Sequence, residues 1–313
     1  MTDRQTSRRA FLGLLGAATL AASLPASAAA LPSSVLGPQM NLPLSELRYR
    51  THFQGAAWAK SPVTGREYVF QTQARSTGFG DVEDLFVHRY ELRAGRLYYV
   101  DTMTGRAFGH CQTIKVRISA ADNPYFYLGL ETYDNGAHVG QQVWRIRYKG
   151  GLDITRDHAY ASRVWLSSGW VIPVDCPDWT LAVRRSAGAQ EVVEWYDERE
   201  LLAAVPGAYA KPRRSVTLTK ASDFQSMCVT GTADAPGDVF RVNGATGGPS
   251  TLYRFPSTGA PGTTLDVTNI IDGNDDPEEP ESVLRIGRDV WVGAQTSPSS
   301  RRILGLRRVV SAA

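Results

Sequence analysis

Four stretches of the chain set a polar side chain in similar surroundings. They are His52-Phe53-Gln54-Gly55-Ala56-Ala57-Trp58, Gly109-His110-Cys111-Gln112-Thr113-Ile114-Lys115-Val116, Ser222-Asp223-Phe224-Gln225-Ser226-Met227-Cys228-Val229 and Glu278-Glu279-Pro280-Glu281-Ser282-Val283-Leu284-Arg285-Ile286. Amides and carboxylates accept and donate hydrogen bonds in fixed directions, which is the chemistry that suits sugar hydroxyls. If the stretches converge on one axis, His52, Gln54, His110, Gln112, Asp223, Gln225, Glu279 and Glu281 face a common channel, joined by Asp178 from a fifth stretch. The plainer alternative is that these groups satisfy one another and buried water along that channel.

The same residues admit other chemistry. Asp178, Asp223 and Glu281 are the carboxylates a glycosidase would need as acid and base, and no Gly-x-Ser-x-Gly supports a serine hydrolase. His52, His110 and Glu281 have ligand types suited to a transition metal, but none lies in a short ligand motif, so no metal is expected. The run Asp272-Gly273-Asn274-Asp275-Asp276-Pro277-Glu278-Glu279 begins like a calcium loop. Pro277 then stands where an EF-hand needs glycine, and Val283 where it needs glutamate, which leaves a non-EF calcium site against a solvated loop. Trp165 and Trp170 flank Ser167-Ser168-Gly169 and are placed to stack on sugar rings, unlike the tryptophans inside strands. Arg301, Arg302, Arg307 and Arg308 could meet a polyanion or simply be exposed on an outer strand.

The elements that must position these groups are short strands. From Phe53 onward apolar runs alternate with turn clusters such as Ser61-Pro62-Val63-Thr64-Gly65 and Ala94-Gly95. Leu85, Val87, Arg89 and Glu91 alternate with Phe86, His88, Tyr90 and Leu92, the period of a strand with two different faces. Asp197 to Ala204 is the one stretch with helical composition. Gln54 and Gln112 are 58 residues apart, Gln112 and Gln225 are 113, and Gln225 and Glu281 are 56, so the long gap holds two periods. Pro177-Asp178-Trp179-Thr180-Leu181-Ala182-Val183 falls at its middle and is taken as the fifth inner strand. Five meanders at this period predict an all-β, five-bladed propeller, with a β-sandwich as the competing architecture. An incomplete last blade would be closed by the proline-rich lead-in of residues 29–50, near Met40 to Tyr49.

Composition bounds the rest. With 313 residues, 42% apolar and 21% charged, and with 29 glycines and 17 prolines, the chain is globular and rich in turns. Ser7-Arg8-Arg9-Ala10-Phe11-Leu12, an apolar run from Leu12 to Leu24, and Ala26-Ser27-Ala28 together read as a twin-arginine signal peptide over residues 1–28, with no transmembrane anchor. Its removal takes the net charge from +3 to +1, which argues against nucleic-acid binding by bulk electrostatics. Cys111, Cys176 and Cys228 lack metal-site spacing and are expected as small buried side chains, with a Cys111–Cys228 bridge as the alternative.

A family resemblance rests on several of these residues. Phe53-Gln54-Gly55-Ala56-Ala57 before Tyr68-Val69-Phe70-Gln71, then Gly109-His110-Cys111-Gln112-Thr113, then Asp276-Pro277-Glu278-Glu279-Pro280-Glu281 before Val290-Trp291-Val292-Gly293 are the residues concerned. Together they resemble the five-bladed propeller shared by staphylococcal phage receptor-binding (baseplate) proteins, TagC-like teichoic-acid-associated proteins and helveticin J-type bacteriocins. The chain departs from that pattern where Gly-His-Gly-Gln becomes Gly-His-Cys-Gln and Glu-Pro-Glu-Gly becomes Glu-Pro-Glu-Ser. The resemblance implies recognition of cell-envelope glycopolymers and supplies no catalytic set. The expectation is therefore a single propeller over residues 51–313, exported and then secreted or held at the envelope, monomeric and without a cofactor. It would bind a glycan through His52, Gln54, His110, Gln112, Gln225, Glu279, Glu281, Trp165 and Trp170. A glycan-processing enzyme and a bacteriocin-like effector are the alternatives.

Overall fold

The computed structural model describes residues 36–42, 53–76, 83–109, 111–134, 137–166, 171–205, 207–220, 223–245, 247–260, 262–271, 278–296 and 304–311. Five sheets form, each built on a meander whose first strand lies innermost. After the short strand β1 (Gln39–Asn41), blade 1 takes β2 (Phe53–Lys60), β3 (Glu67–Ser76), β4 (Glu83–Arg93) and β5 (Arg96–Gly105). Blade 2 takes β6 (Ile114–Ile118), β7 (Pro124–Asp134), β8 (Ala137–Arg147) and β10 (Ala161–Val164), after β9 (Asp153–Ile154) has docked in parallel on β5 of blade 1. Blade 3 is β11 (Val171–Val174), β12 (Thr180–Ala187), β13 (Gln190–Asp197) and β14 (Arg214–Thr219), with helix α1 (Glu198–Ala203) between the last two. Blade 4 is β15 (Phe224–Val229), β16 (Val239–Asn243), β17 (Thr251–Phe255) and β18 (Thr263–Asp266). Blade 5 is β19 (Glu278–Ile286), β20 (Asp289–Thr296) and β21 (Leu304–Ser311), completed by β1 on its outer edge.

The ring is a five-bladed β-propeller because the middle strands of its blades have two apolar faces, and each face finds a neighbour. In β4, Leu85 and Val87 join Phe70, Ile114, Phe126 and Leu128 in the core between blades 1 and 2. Tyr90 turns the other way and meets Leu284, Trp291 and Leu306 of blade 5. Tyr127, Val143, Leu181 and Tyr196 fill the seam between blades 2 and 3. Val193, Trp195, Met227 and Val239 fill the next, and Phe240, Leu252, Val283 and Val292 the one after. A sandwich would have one core between two sheets; five interfaces with a core each close a circle instead.

The lead-in closes the last blade as expected, but more narrowly. Only Gln39–Asn41 pairs with β21, in register from Gln39↔Arg307 to Asn41↔Gly305, and buries Met40; residues 43–50 lie outside the described residues. Arg307 and Arg308 consequently sit on an inner-flanked strand rather than an outer one. Arg307 donates to Gln39 Oε1 at 3.3 Å and Arg308 to Asp289 Oδ2 at 3.3 Å. Helix α1 falls where composition puts it, with Asp197 capping its start by accepting from Arg199 N at 2.8 Å. The three cysteines are buried thiols, and Cys111 and Cys228 belong to different seams, so the alternative bridge does not form.

The inner strand of blade 3 corrects the sequence reading. Pro177 to Val183 is not innermost: Val171–Val174 is, and Thr180 opens the second strand, pairing with Asp197 of the third. The innermost strand is short and wholly apolar, so it lacks the polar marker that identifies its counterparts.

One hairpin carries a measurable strain. Arg93 pairs with Arg96 across two residues of positive φ, Ala94 at 47° and Gly95 at 71°, the arrangement of a type I′ turn. Alanine is disfavoured there while asparagine tolerates it, so Ala94→Asn is expected to raise stability by about 0.5–1 kcal/mol. An unchanged denaturation midpoint in that variant would show that the turn is not under strain.

Candidate functional site

The recurring stretches are recurring β-bulges. Between β2 and β3 the pairing jumps from Phe53 to Ala56, skipping Gln54 and Gly55. Between β15 and β16 it jumps from Phe224 to Ser226, skipping Gln225. Between β19 and β20 it jumps from Pro280 to Ser282, skipping Glu281. An extra unpaired residue bends the strand and re-aims its side chain, so three blades use one device to turn a polar group out of the alternation that would bury it between blades. In blade 2 the counterpart, Gln112, sits in the bend just before β6 and is half-buried. Its carbonyl is why position 55 is glycine: a Cβ there would come within 2.8 Å of Gln112 O and of Thr113 Cα.

These groups are tied from blade to blade at the end of the channel where the inner strands begin. Gln225 donates from Nε2 to Gly244 O at 2.8 Å and to Glu279 Oε1 at 3.1 Å, joining blade 4 to blade 5. Gln295, at the end of β20, donates to Glu281 and accepts from Phe53 N at 3.3 Å, joining blade 5 to blade 1. Thr72 Oγ1 accepts from Gly55 N at 2.7 Å and shares its one proton between Gly55 O at 3.0 Å and Cys111 O at 3.2 Å, the latter reaching from blade 1 to the segment that leads into blade 2. Gln295 is not legible in the sequence as a site residue, because it ends a second strand and carries none of the inner-strand phrase. Gln54 and Glu281 are buried, whereas Gln112, Gln225 and Glu279 are half-buried and Asp223 is exposed at φ 57°. The rim is therefore formed by Gln112, Gln225, Glu279 and Asp223, with Gln54 and Glu281 below it.

Other predicted residues fall elsewhere. Asp178 is exposed in the turn after β11, past the finish of an inner strand rather than at its start. It therefore does not share an end of the channel with Asp223 and Glu281. Trp165 is half-buried at the outer edge of blade 2, its ring edge-on to Tyr209 at 5.7 Å, well away from the inner strands. His52, His110 and Trp170 lie outside the described residues, as do residues 1–28 with the signal motif and 272–277 of the acidic run. Glu278 is buried and accepts from Ile271 N at 3.0 Å, a backbone-holding role. Among the described residues, no three His, Cys, Asp or Glu side chains are grouped as metal ligands would be.

The carboxylate next to the innermost strand of blade 3 is the buried Asp175. It follows β11 directly, bridges in parallel to Cys228 of β15, and accepts from Arg285 N at 2.8 Å, with the Arg285 guanidinium at 3.8 Å. Lys115, fully buried, reaches the same level from blade 2 and donates to Cys176 O at 3.3 Å and Pro177 O at 2.8 Å. Burial pushes the Asp175 carboxyl up to about 6 despite Arg285 and Lys115. Burial likewise raises the thiols of Cys176 and Cys228, which excludes a reactive thiolate in either. The channel thus has an amide-and-carboxylate end where the strands begin and a buried ionic plug of Asp175, Arg285 and Lys115 further along.

No family model and no curated protein matches the chain. Among solved structures, the tail fiber of Staphylococcus aureus phage P68 is similar at 14% identity and TM-score 0.64, over 87% of this chain and 52% of that one. A protein of unknown function from Dyadobacter fermentans is similar at 11% identity and TM-score 0.42, over 83% of this chain and 79% of that one. A Trypanosoma rangeli sialidase is similar at 11% identity and TM-score 0.38, over 85% of this chain and 45% of that one. The chain spans about half the length of the tail fiber, and the likeness to it is one of fold. The structure and this likeness together make the chain a five-bladed propeller of the architecture found in a staphylococcal phage tail fiber.

Proposed function

We propose that the chain is an exported, non-catalytic propeller that binds a cell-envelope or extracellular glycopolymer of the teichoic-acid-like kind at the end of its channel where the inner strands begin. The observation that carries this reading is the bulge repeated at Gln54, Gln225 and Glu281. A bulge costs ladder hydrogen bonds, and its repetition in three blades re-aims an amide or carboxylate each time near the start of an inner strand. The fold shared with a phage tail fiber is consistent with this use, as is the resemblance of its motifs to TagC-like and helveticin J-type proteins. Asp178 stands apart from Asp223 and Glu281, which disfavours the acid and base arrangement that the enzymatic alternative would draw on.

Titration of the mature protein with purified wall glycopolymers tests it. Gln112→Ala and Gln225→Ala should each weaken binding about five- to tenfold, the value of one or two neutral hydrogen bonds. The thermal melt should be little changed for Gln112→Ala, half-buried at the rim, and lowered by a few degrees for Gln225→Ala, which loses its bonds to Gly244 O and Glu279, so binding is compared well below either melt. Equal affinity in both variants would sink the channel as the binding site. Release of new reducing ends by the wild type would replace binding with cleavage.

A further inference from the structure

A cleft of about 210 Å3 opens between blades 2 and 3 on the outer side of the ring, lined by Tyr127, Arg145, Arg163, Trp165, Leu202 and Val205 among others. Its two cations are held in an unusual way. The Arg163 guanidinium lies 4.0 Å from the Trp165 ring centre, and that of Arg145 lies 3.9 Å from the Tyr125 ring centre. Among the described residues neither guanidinium has an ion pair, and Arg145 Nε is buried without a hydrogen-bond partner. Glu198, the buried carboxylate that Tyr127 of the lining reaches, accepts with Oε1 from Arg117 Nε at 2.7 Å and from Tyr127 Oη at 2.6 Å.

Stacking fixes a guanidinium plane while leaving its N–H edge open, the arrangement that receives a carboxylate or phosphate. Around that cationic floor the walls are apolar and partly exposed, with Val205 at 70% and Leu202 at 42%. Apolar walls beside a fixed anion receptor suit the carbon face of a sugar ring that carries the charge. The volume lies below the ~300–1,000 Å3 of pockets for drug-sized ligands, which limits the occupant to a single ring.

We propose that this cleft is a second binding site, distinct from the channel, for one anionic monosaccharide unit, a hexose phosphate or hexuronate. Arg163 and Arg145 take the anion and Trp165, Leu202 and Val205 take the ring. The site stands without the channel reading, since none of its residues belongs to an inner strand.

Calorimetric titration with glucose 6-phosphate, with glucose and inorganic phosphate as controls, tests the proposal on the full mature chain. Glucose 6-phosphate should bind at least tenfold more tightly than either control. Arg163→Ala should remove that advantage, and Arg163→Lys should keep only part of it, because an ammonium keeps the charge but not the planar fork. Arg163→Ala should leave the binding of wall glycopolymer at the channel rim unchanged, which separates the two sites. Phosphate binding as tightly as the sugar phosphate, glucose binding equally well, or an Arg163→Ala variant that binds like the wild type would each overturn it. Arg163 is exposed on an edge strand, so its variants retain the fold, and an unchanged melt confirms this in the same samples.

Discussion

Glu191→Ala should lose about 3–5 kcal/mol of stability, a large effect for one side chain, because it strands a buried cation. Glu191 is the second residue of β13 in blade 3 and is fully buried. One carboxylate oxygen accepts from Arg184 Nη2 at 2.6 Å and the other from Arg241 Nη1 at 2.9 Å, and Arg241 belongs to blade 4. Arg241 is itself only 2% exposed, with its guanidinium over Tyr253 and Phe255 at 5.0 and 4.9 Å and Nη1 also donating to Thr219 O at 2.8 Å. The pair therefore sits inside the seam between two blades, where water cannot replace a lost partner. Removing the carboxylate leaves the Arg241 guanidinium desolvated and uncompensated; removing Glu191 and Arg241 together leaves only Arg184, which is partly exposed, without its carboxylate. Glu191→Leu combined with Arg241→Met should accordingly recover most of the loss, since an apolar pair of similar volume can replace a buried ion pair at little cost. Urea denaturation monitored by fluorescence reads both, with the slope unchanged if only the native seam is affected. A Glu191→Ala loss below about 1 kcal/mol would mean that the seam admits water and that the pair is effectively a surface one.

Much of this architecture is legible without coordinates because the polar marker of each inner strand is a bulge residue. Gln54, Gln225 and Glu281 interrupt an otherwise apolar strand, and such an interruption shows in sequence as a repeated phrase. Blade 3 has no such interruption. Counting back three residues on each side of the Asp175↔Cys228 bridge sets Ile172 at the height of Gln225, and isoleucine gives no signal. The spacing alone then favours Pro177 to Val183, which has the right composition for a strand and is one strand too far out. The same shift moves the axial carboxylate from Asp175 to Asp178. Sequence does not choose between them: each is an aspartate beside a proline or cysteine, and only pairing shows which one is buried. The closing strand is foreseeable as a need rather than as residues, since any of several segments in a proline-rich lead-in could meet an open edge.

The ties between blades are the least legible part. Arg241 and Glu191 are 50 residues apart, and Arg117 and Glu198 are 81, so no local pattern joins them. They appear only once the ring is closed. Lys115, within β6, and Asp175, directly after β11, are similar: each is buried among apolar neighbours and is tolerated because backbone carbonyls or amides of another blade complete its bonding.

Two of these buried groups should give the propeller opposed responses to acid that nearly cancel. His88, fully buried on β4, faces Gln73 at 3.1 Å from Nε2 and Thr102 at 2.7 Å from Nδ1, with Tyr99 Oη 2.8 Å from the Thr102 hydroxyl. Since Gln73 Oε1 can only accept, Nε2 carries the proton and the ring is neutral. Burial lowers its pKa from 6.5 to about 4. The unfolded chain therefore takes up a proton below 6.5 that the folded chain refuses until about 4, so the stability His88 contributes is complete above pH 6.5 and is lost as pH falls toward 4. Asp175 runs the other way. Its pKa is raised from 3.8 to about 6, so the folded chain keeps a proton that the unfolded chain gives up, and its contribution is complete below 3.8 and is lost as pH rises through 6. Each shift corresponds to about 3 kcal/mol across nearly the same window. Relative to the wild type at each pH, Asp175→Asn should become progressively less stable as pH falls from 6 to 4, and His88→Gln progressively more stable from 6.5 to 4. Urea midpoints at half-unit pH steps read both differences, and the shared response of the surface carboxylates drops out of them. A pH-independent offset in either variant would show that its group titrates alike in the folded and unfolded chains. For Asp175 that would place water in the ionic plug beside Arg285 and Lys115; for His88 it would place water in the seam between blades 1 and 5.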